Sequence, residues 1–360
     1  MSGFTHLKKL FEQRKITRRQ FIAQASALGF AAAISPMLLP GKAMAATPKQ
    51  GGHFVLGCSG GSTTDSMDPG TLTSVFNQHL NFQIRNCLVE IDHNFDPIPE
   101  LAESWESTPD AKVWNFKLRK GVEFHNGKTL TADDVIFSIN HHLGEDSKSG
   151  AKGYLKSLKE MRKDGPNTVI FELEGGNADF PFTMSDYHLT IFPEGTKGPE
   201  FEKGIGTGAY ILKDWEPGVR SLATRNPNYW KAGRAHFDSF ETLAITDGSA
   251  RTNALKTGKI HNMDRVDLKT VHLMKKMPGI EVLATTGTGH YSIPMLVDRS
   301  PYSDNDVRMA LKLALDREAL VKIILRGSGE VGNDHPIAPV NRFHAKNLKQ
   351  RTYDPDKAKY

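Results

Sequence analysis

Apolar residues recur at spacing four in Phe76, Leu80, Ile84 and Leu88, which predicts a helix from Val75 to about Leu88. A second stripe, Val135, Ile136, Ile139 and Leu143, follows a T-x-x-D pair (Thr131, Asp134), the signature of a capped helix start. Asp133 and Asp134 then fall in the first turn, where the helix dipole favours acids. Elsewhere the period is two. Trp114, Phe116 and Leu118 alternate with polar neighbours, and Val122 and Phe124 resume after Arg119-Lys120-Gly121, so Ala111 to Phe124 predicts paired strands. Further strands are predicted at His53 to Leu56, Thr168 to Leu173 and Gly206 to Trp215. Helices are predicted over Asp247 to Thr257, Asp267 to Lys276 and Asp304 to Leu325, the last broken near Asp316. Strands and helices alternate irregularly, so the expected class is α/β with α+β mixing rather than a doubly wound sheet.

The first 45 residues follow another pattern. A basic polar segment precedes an apolar stretch from Phe21 to Leu39, and Ala43-Met44-Ala45 is a small-x-small cleavage pattern, so these residues predict an export signal cleaved after Ala45. Thr17-Arg18-Arg19-Gln20-Phe21-Ile22 resembles a twin-arginine signal. The apolar stretch is interrupted by Gln24, Ser26, Gly29, Ser35 and Pro36, which argues against an uncleaved membrane anchor.

Composition changes meaning once this leader is set apart. The 360 residues carry 46 Lys+Arg and 41 Asp+Glu, a net charge of +5. Seven of those bases and only one of the acids lie in residues 1–45, so the body is close to neutral. A nucleic-acid partner is not expected, because phosphate binding needs a basic surface. Two cysteines exclude a disulfide-rich scaffold and a four-cysteine zinc site.

Candidate chemistry is sparse. Gly57-Cys58-Ser59-Gly60-Gly61 matches G-x-S-x-G, and a hydrolase using Ser59 is the alternative reading; the loop-like Ser62-Thr63-Thr64-Asp65-Ser66 stands where an elbow needs a helix. Leu56-Gly57-Cys58 imitates a lipoprotein site, but polar residues from Thr47 to Gly52 separate it from the apolar stretch. Cys58 and Cys87 either pair or remain two buried thiols. His141 and His142 are adjacent on a helix, about 100° apart, and do not chelate one metal together. Asp304, Asn305 and Asp306 are too compact for a calcium loop and read as a helix cap. There is no phosphate-binding loop of the G-x-x-x-x-G-K type, and no cofactor or metal is expected. Trp105, Trp114, Trp215 and Trp230 read as core anchors or ligand platforms.

Several blocks converge on one family. They are Leu101-Ala102-Glu103-Ser104-Trp105-Glu106, the run from Trp114 to Gly127 with Leu130 to Val135, Gly206 to Leu212 with Asn226-Pro227-Asn228-Tyr229-Trp230, and Pro301 to Asp304 with Val307 to Ala310 and Ala314 to Arg317. In this order they resemble the extracytoplasmic solute-binding proteins of family 5, the peptide, dipeptide and nickel class serving ABC importers. The resemblance implies a two-lobed clamp of the type II periplasmic-binding-protein kind with an extra inserted domain. Lobe one would take 46–75 and 206–288, the insertion 76–205, and lobe two would start at 289–360. Asp354-Pro355 opens a helix that barely begins, which suggests an incomplete second lobe.

The implied function is capture of a peptide or related solute in the periplasm by a monomer, for delivery to membrane permease subunits. The twin-arginine resemblance implies its export machinery as a further partner. By position in the family pattern, Thr73, Ser74, Val75 and Phe76 in one segment and Tyr291, Ser292 and Ile293 in another are the candidate ligand-binding residues. Plain loop or core is the other reading of each. A fragment that binds nothing is a further alternative.

Overall fold

The structure is a computed structural model that describes residues 48–285 and 287–359; the predicted leader, with Arg18, Arg19, Ala43 and Ala45, lies outside them. Two sheets organise the chain, and each is built from residues that alternate or run apolar in the expected way.

The first has five strands. β1 (His53–Cys58) is an interior strand, with its last four residues buried. It pairs in parallel with β10 (Ser239–Ala244) on one side and with β11 (Asn262–Met263) on the other. β8 (Tyr210–Glu216) and β9 (Arg220–Arg225) form an antiparallel hairpin, and β9 continues antiparallel onto β10. The order is therefore β11-β1-β10-β9-β8. Between β1 and β10 in sequence lies the second sheet, antiparallel throughout, in the order β4 (Ala102–Ser107), β5 (Val113–Leu118), β7 (Thr168–Leu173), β6 (Leu158–Lys163). A short ladder joins β2 (Val89–Ile91) to β3 (Pro97–Pro99). The class is mixed α/β.

α1 (Val75–Ile84) buries Phe76, Leu80 and Ile84 completely, the predicted face, and packs on β8 and β10. It ends before Leu88. α2 (Ala132–Asn140) opens on Thr131, whose backbone N–H donates to Asp134 at 2.9 Å, and packs on β6 and β7. A single turn, α3 (Phe180–Thr183), adds Phe180 to the core, where Phe116 meets Phe171 and Phe180 edge-to-face at 5.3 and 6.1 Å. Burying each such ring stabilises the fold by roughly 1.5–3 kcal/mol. α4 (Gly248–Lys256) is capped by Asp247. α5 (Val271–Met274) is only one turn, shorter than the predicted span from Asp267 to Lys276. α6 (Asn305–Ala314) and α7 (Arg317–Ile323) are separate, capped by Asp304 and Asp316 as the pattern implied, and neither has a fully buried residue.

One strand prediction is corrected. Val113–Leu118 is a strand with Trp114, Phe116 and Leu118 buried, but Val122 and Phe124 do not return beside it as a hairpin. β5 finds its partners in β4 and β7, and Val122 and Phe124 enter the core from a loop closed by hydrogen bonds to Leu130 and Lys128. The positive φ of Gly121 turns the chain away from the sheet at that point.

Among the described residues no helix is long and apolar enough to cross a membrane.

Candidate functional site

The loop from Ser59 to Ser74 leaves β1 and enters α1, and four carboxylates hold it: Asp65 and Asp68 from within the loop, Asp264 and Glu202 from distant parts of the chain. Asp264 accepts both the Ser59 backbone N–H at 2.8 Å and the Ser59 hydroxyl at 2.6 Å. Arg251, nearly fully buried, lies 3.6 Å from that carboxylate and donates to the Ile245 and Thr246 carbonyls. Asp65 accepts from the Ser62 N–H and the Ser74 hydroxyl, both at 2.9 Å. Ser74 in turn accepts from the Asn77 N–H at 3.1 Å, which caps α1. Glu202 accepts from the Ser66 hydroxyl, the Met67 N–H and the Trp215 indole N–H at 2.9, 3.2 and 2.8 Å. Asp68 binds the Gly70 N–H at 2.8 Å and the His141 Nε2 at 2.6 Å. Burial alone would raise the Asp68 carboxyl, but the hydrogen bonds from His141 and Gly70 outweigh it and hold the group below its ordinary value.

Arg85 closes the loop from beneath. Its fully buried guanidinium donates to the carbonyls of Met67, Phe201 and Ile205 at 2.8, 3.3 and 3.4 Å, and to Asn81 Oδ1 at 3.0 Å. Burial brings it down to about 10, opposed by Asp68 and Glu202, so it stays charged at neutral pH. The result is a polar, pre-ordered loop on the end of a sheet.

The candidate residues divide. Thr73 is exposed, and Ser74 and Val75 are half-buried at the helix start. Phe76 is fully buried and stacks on Trp215 at 5.6 Å, so it is core beneath the loop. Tyr291, Ser292 and Ile293 lie outside regular structure, with Tyr291 92% and Ile293 71% exposed. No hydrogen bond, ion pair or ring contact joins these three to the 59–76 loop. The tryptophans serve as anchors: Trp114 is buried, Trp105 stacks on Phe116, and the Trp230 indole N–H reaches Asn86 Oδ1.

Two alternatives that the sequence left open are decided. Cys58 and Cys87 are buried free thiols and do not pair. Cys58 packs in the cluster under the five-stranded sheet, and burial pushes its thiol up to about 12, while Cys87 donates to the Asp186 carbonyl at 3.4 Å in a separate pocket. Ser59 is not a nucleophile elbow. A loop follows it instead of a helix, and its hydroxyl donates straight to a carboxylate where a catalytic serine needs an imidazole as acceptor. His141 and His142 turn to different partners, Asp68 and Ser149. Among the described residues no three His, Cys, Asp or Glu side chains gather as a metal site.

The residues that sequence reading missed are Asp264, Glu202, Arg251 and Arg85. Asp264 reaches Ser59 from 205 residues away and Glu202 reaches Ser66 from 136, with no local signal, and Arg251 acts on the loop only through Asp264. Arg85 had one: Asn77, Asn81 and Arg85 recur at spacing four beside the apolar stripe, a polar row on a face that is being buried.

Residues 96–360 match the family described as "Bacterial extracellular solute-binding proteins, family 5 Middle". The chain belongs to this family. Di/tripeptide-binding protein 1 of Pseudomonas aeruginosa is 26% identical over 363 residues, covering 91% of this chain and 66% of that protein. The oligopeptide-binding protein AppA of Bacillus subtilis is 30% identical over 324 residues, covering 85% and 58%. AppA in complex with a nonapeptide superimposes with a TM-score of 0.75 at 26% identity, over 87% of this chain and 63% of that one. A nickel ABC transporter structure from Bacillus halodurans gives 0.67 at 28% identity, over 83% and 61%. The chain thus spans less than two thirds of the length of each of these relatives. In this family 5 chain the ordered loop joins β1, the first strand of the five-stranded sheet in sequence, to α1.

Proposed function

We propose that this family 5 chain is the solute-binding component of an ABC importer, capturing di- or oligopeptides in the periplasm as a monomer and passing them to membrane permease subunits. Export would use the signal in residues 1–45, with Arg18 and Arg19 as its twin-arginine pair and cleavage after Ala45. The lobes would follow the division 46–75 with 206–288, the insertion 76–205, and lobe two from 289. The separate five-stranded and four-stranded sheets support that division.

The observation that carries the binding reading is the loop itself. Asp65, Asp68, Asp264 and Glu202 are each spent on fixing loop groups, which suits a rigid recognition surface and leaves none of them as a base for Ser59. The peptide class is supported by the relatives whose names specify peptides. An extended peptide is gripped through its backbone by strand-like hydrogen bonds, with water in roomy side-chain pockets. Thr73, Ser74 and Val75 would meet it from the loop, and Tyr291, Ser292 and Ile293 from the opposite lobe on closure, a hinge motion driven by contacts made only when shut. Phe76 would support the loop from below.

Native mass spectrometry of the protein purified from its own host tests this. A retained peptide, seen as a mass increment lost on activation, is expected. A ligand-free protein whose melting temperature no peptide raises would overturn the reading.

A further inference from the structure

A cleft of about 650 Å³, with no residue of the 59–76 loop in its lining, is formed by the C-terminal end of α1, β2, β8, β10 and the 229–237 segment. Its size is that of a small-molecule site. Its lining is aromatic: Phe82, Tyr210, Tyr229 and Phe237 all border it. Three of these rings are held. The Tyr210 hydroxyl accepts from the Phe237 N–H at 3.3 Å, Phe237 stacks on Phe54 at 4.7 Å, and Tyr229 meets Asn86 at 3.5 Å. Phe82 is the exception. It belongs to a helix that buries Phe76, Leu80 and Ile84 completely, yet it is 52% exposed with its ring on the cleft.

The charges in the cleft are not symmetrical. Lys231 donates to Glu90 at 2.6 Å and to Glu100 at 3.1 Å. Glu100 also accepts from the Asn86 side chain and the Cys87 N–H. These groups satisfy one another, and the two carboxylates hold Lys231 charged despite its burial. Arg234, exposed at the cleft, has no hydrogen bond and no ion pair among the described residues. The uncompensated charge among an aromatic lining is therefore a guanidinium, whose planar fork suits a carboxylate.

We propose that this cleft is a second ligand site, separate from the solute site of the clamp, that takes an aromatic carboxylate: the ring between Phe82 and the tyrosines, the carboxylate on Arg234. Glu90 and Glu100 would exclude a second negative group from the floor, so a monoanion fits and a dianion does not.

Isothermal titration calorimetry with 2-naphthoate tests it, on the wild type and on Arg234→Ala and Phe82→Ala. Both side chains are exposed, so neither change endangers the fold, and unchanged melting temperatures verify that. Saturable one-to-one binding is expected, weakened about tenfold or more by each substitution and similarly for the neutral 2-naphthamide on the wild type. Absence of saturable binding, or binding equally tight in both variants, would overturn the proposal; the second result would place the naphthoate elsewhere on the molecule.

Discussion

At the scale of single residues, two side chains make sharp predictions. Ser59 donates to a carboxylate that also holds its own backbone, so Ser59→Ala removes one charge-assisted hydrogen bond from the loop. A loss of about 1–3 kcal/mol in urea unfolding is expected, with no change in the hydrolysis of an activated ester. An esterase activity present in the wild type and abolished in the variant would restore the hydrolase reading.

His142 predicts a pH dependence. Its ring is fully buried, Nδ1 is bonded to Ser149 at 2.6 Å and Nε2 has no partner. His141 faces it at 5.3 Å, and Asp68, His188 and Asp186 are its other charged or titratable neighbours. Burial, aided by His141, pulls His142 from 6.5 down to about 4. A folded value below the unfolded one means stability is complete above pH 6.5 and declines as the pH falls towards 4. Between pH 7 and pH 5 this single group should remove on the order of 2 kcal/mol. Urea unfolding at the two pH values should show that loss shrinking in His142→Asn; an identical pH dependence in the variant would contradict it.

At the scale of elements, the close approach of the Gly206-Thr207-Gly208 segment to the end of α1 is decisive. A Cβ on Gly208 would lie 2.4 Å from the Gln83 carbonyl oxygen, and one on Gly206 would lie 2.1 Å from that of Ile84. These are backbone atoms, and the Gly208 N–H itself donates to the Ile84 carbonyl at 3.0 Å. Gly208→Ala should therefore destabilise by about 3 kcal/mol, visible as a lowered melting temperature. An unchanged melting temperature would show that the segment moves freely. In the sequence this segment read as the start of a strand from Gly206 to Trp215, and its role as a helix stop was not legible.

The same division holds for the elements generally. α1 and α2 were legible because their apolar spacing and caps are local. β5 was legible as a strand but its partners were not, since pairing to β7 is decided some 55 residues away. β9 and β10 were not seen at all: Arg220–Arg225 and Ser239–Ala244 carry few strong apolar residues, and their strand state comes from filling the gap between β1 and β8. In the site, the Asp65–Ser74–Asn77 cap lies within one stretch of chain, whereas Asp264 and Glu202 reach the loop only through the folded sheet.

At the scale of the molecule, the net charge of +5 belongs to residues 1–45, and the body that folds into the two sheets is nearly neutral. Such a body has no general attraction for phosphate, and recognition by it has to come from shaped, hydrogen-bonded surfaces, the role proposed above for the 59–76 loop. Peptide capture is the central claim built on that surface. Its most direct test is a calorimetric titration of ligand-free protein with a panel of di- and tripeptides. The prediction is saturable one-to-one binding by at least one of them, with unfolding free energy raised by about 2.7 kcal/mol at a hundredfold excess over Kd. A folded protein that takes up heat from none of the peptides, and is stabilised by none, would contradict it.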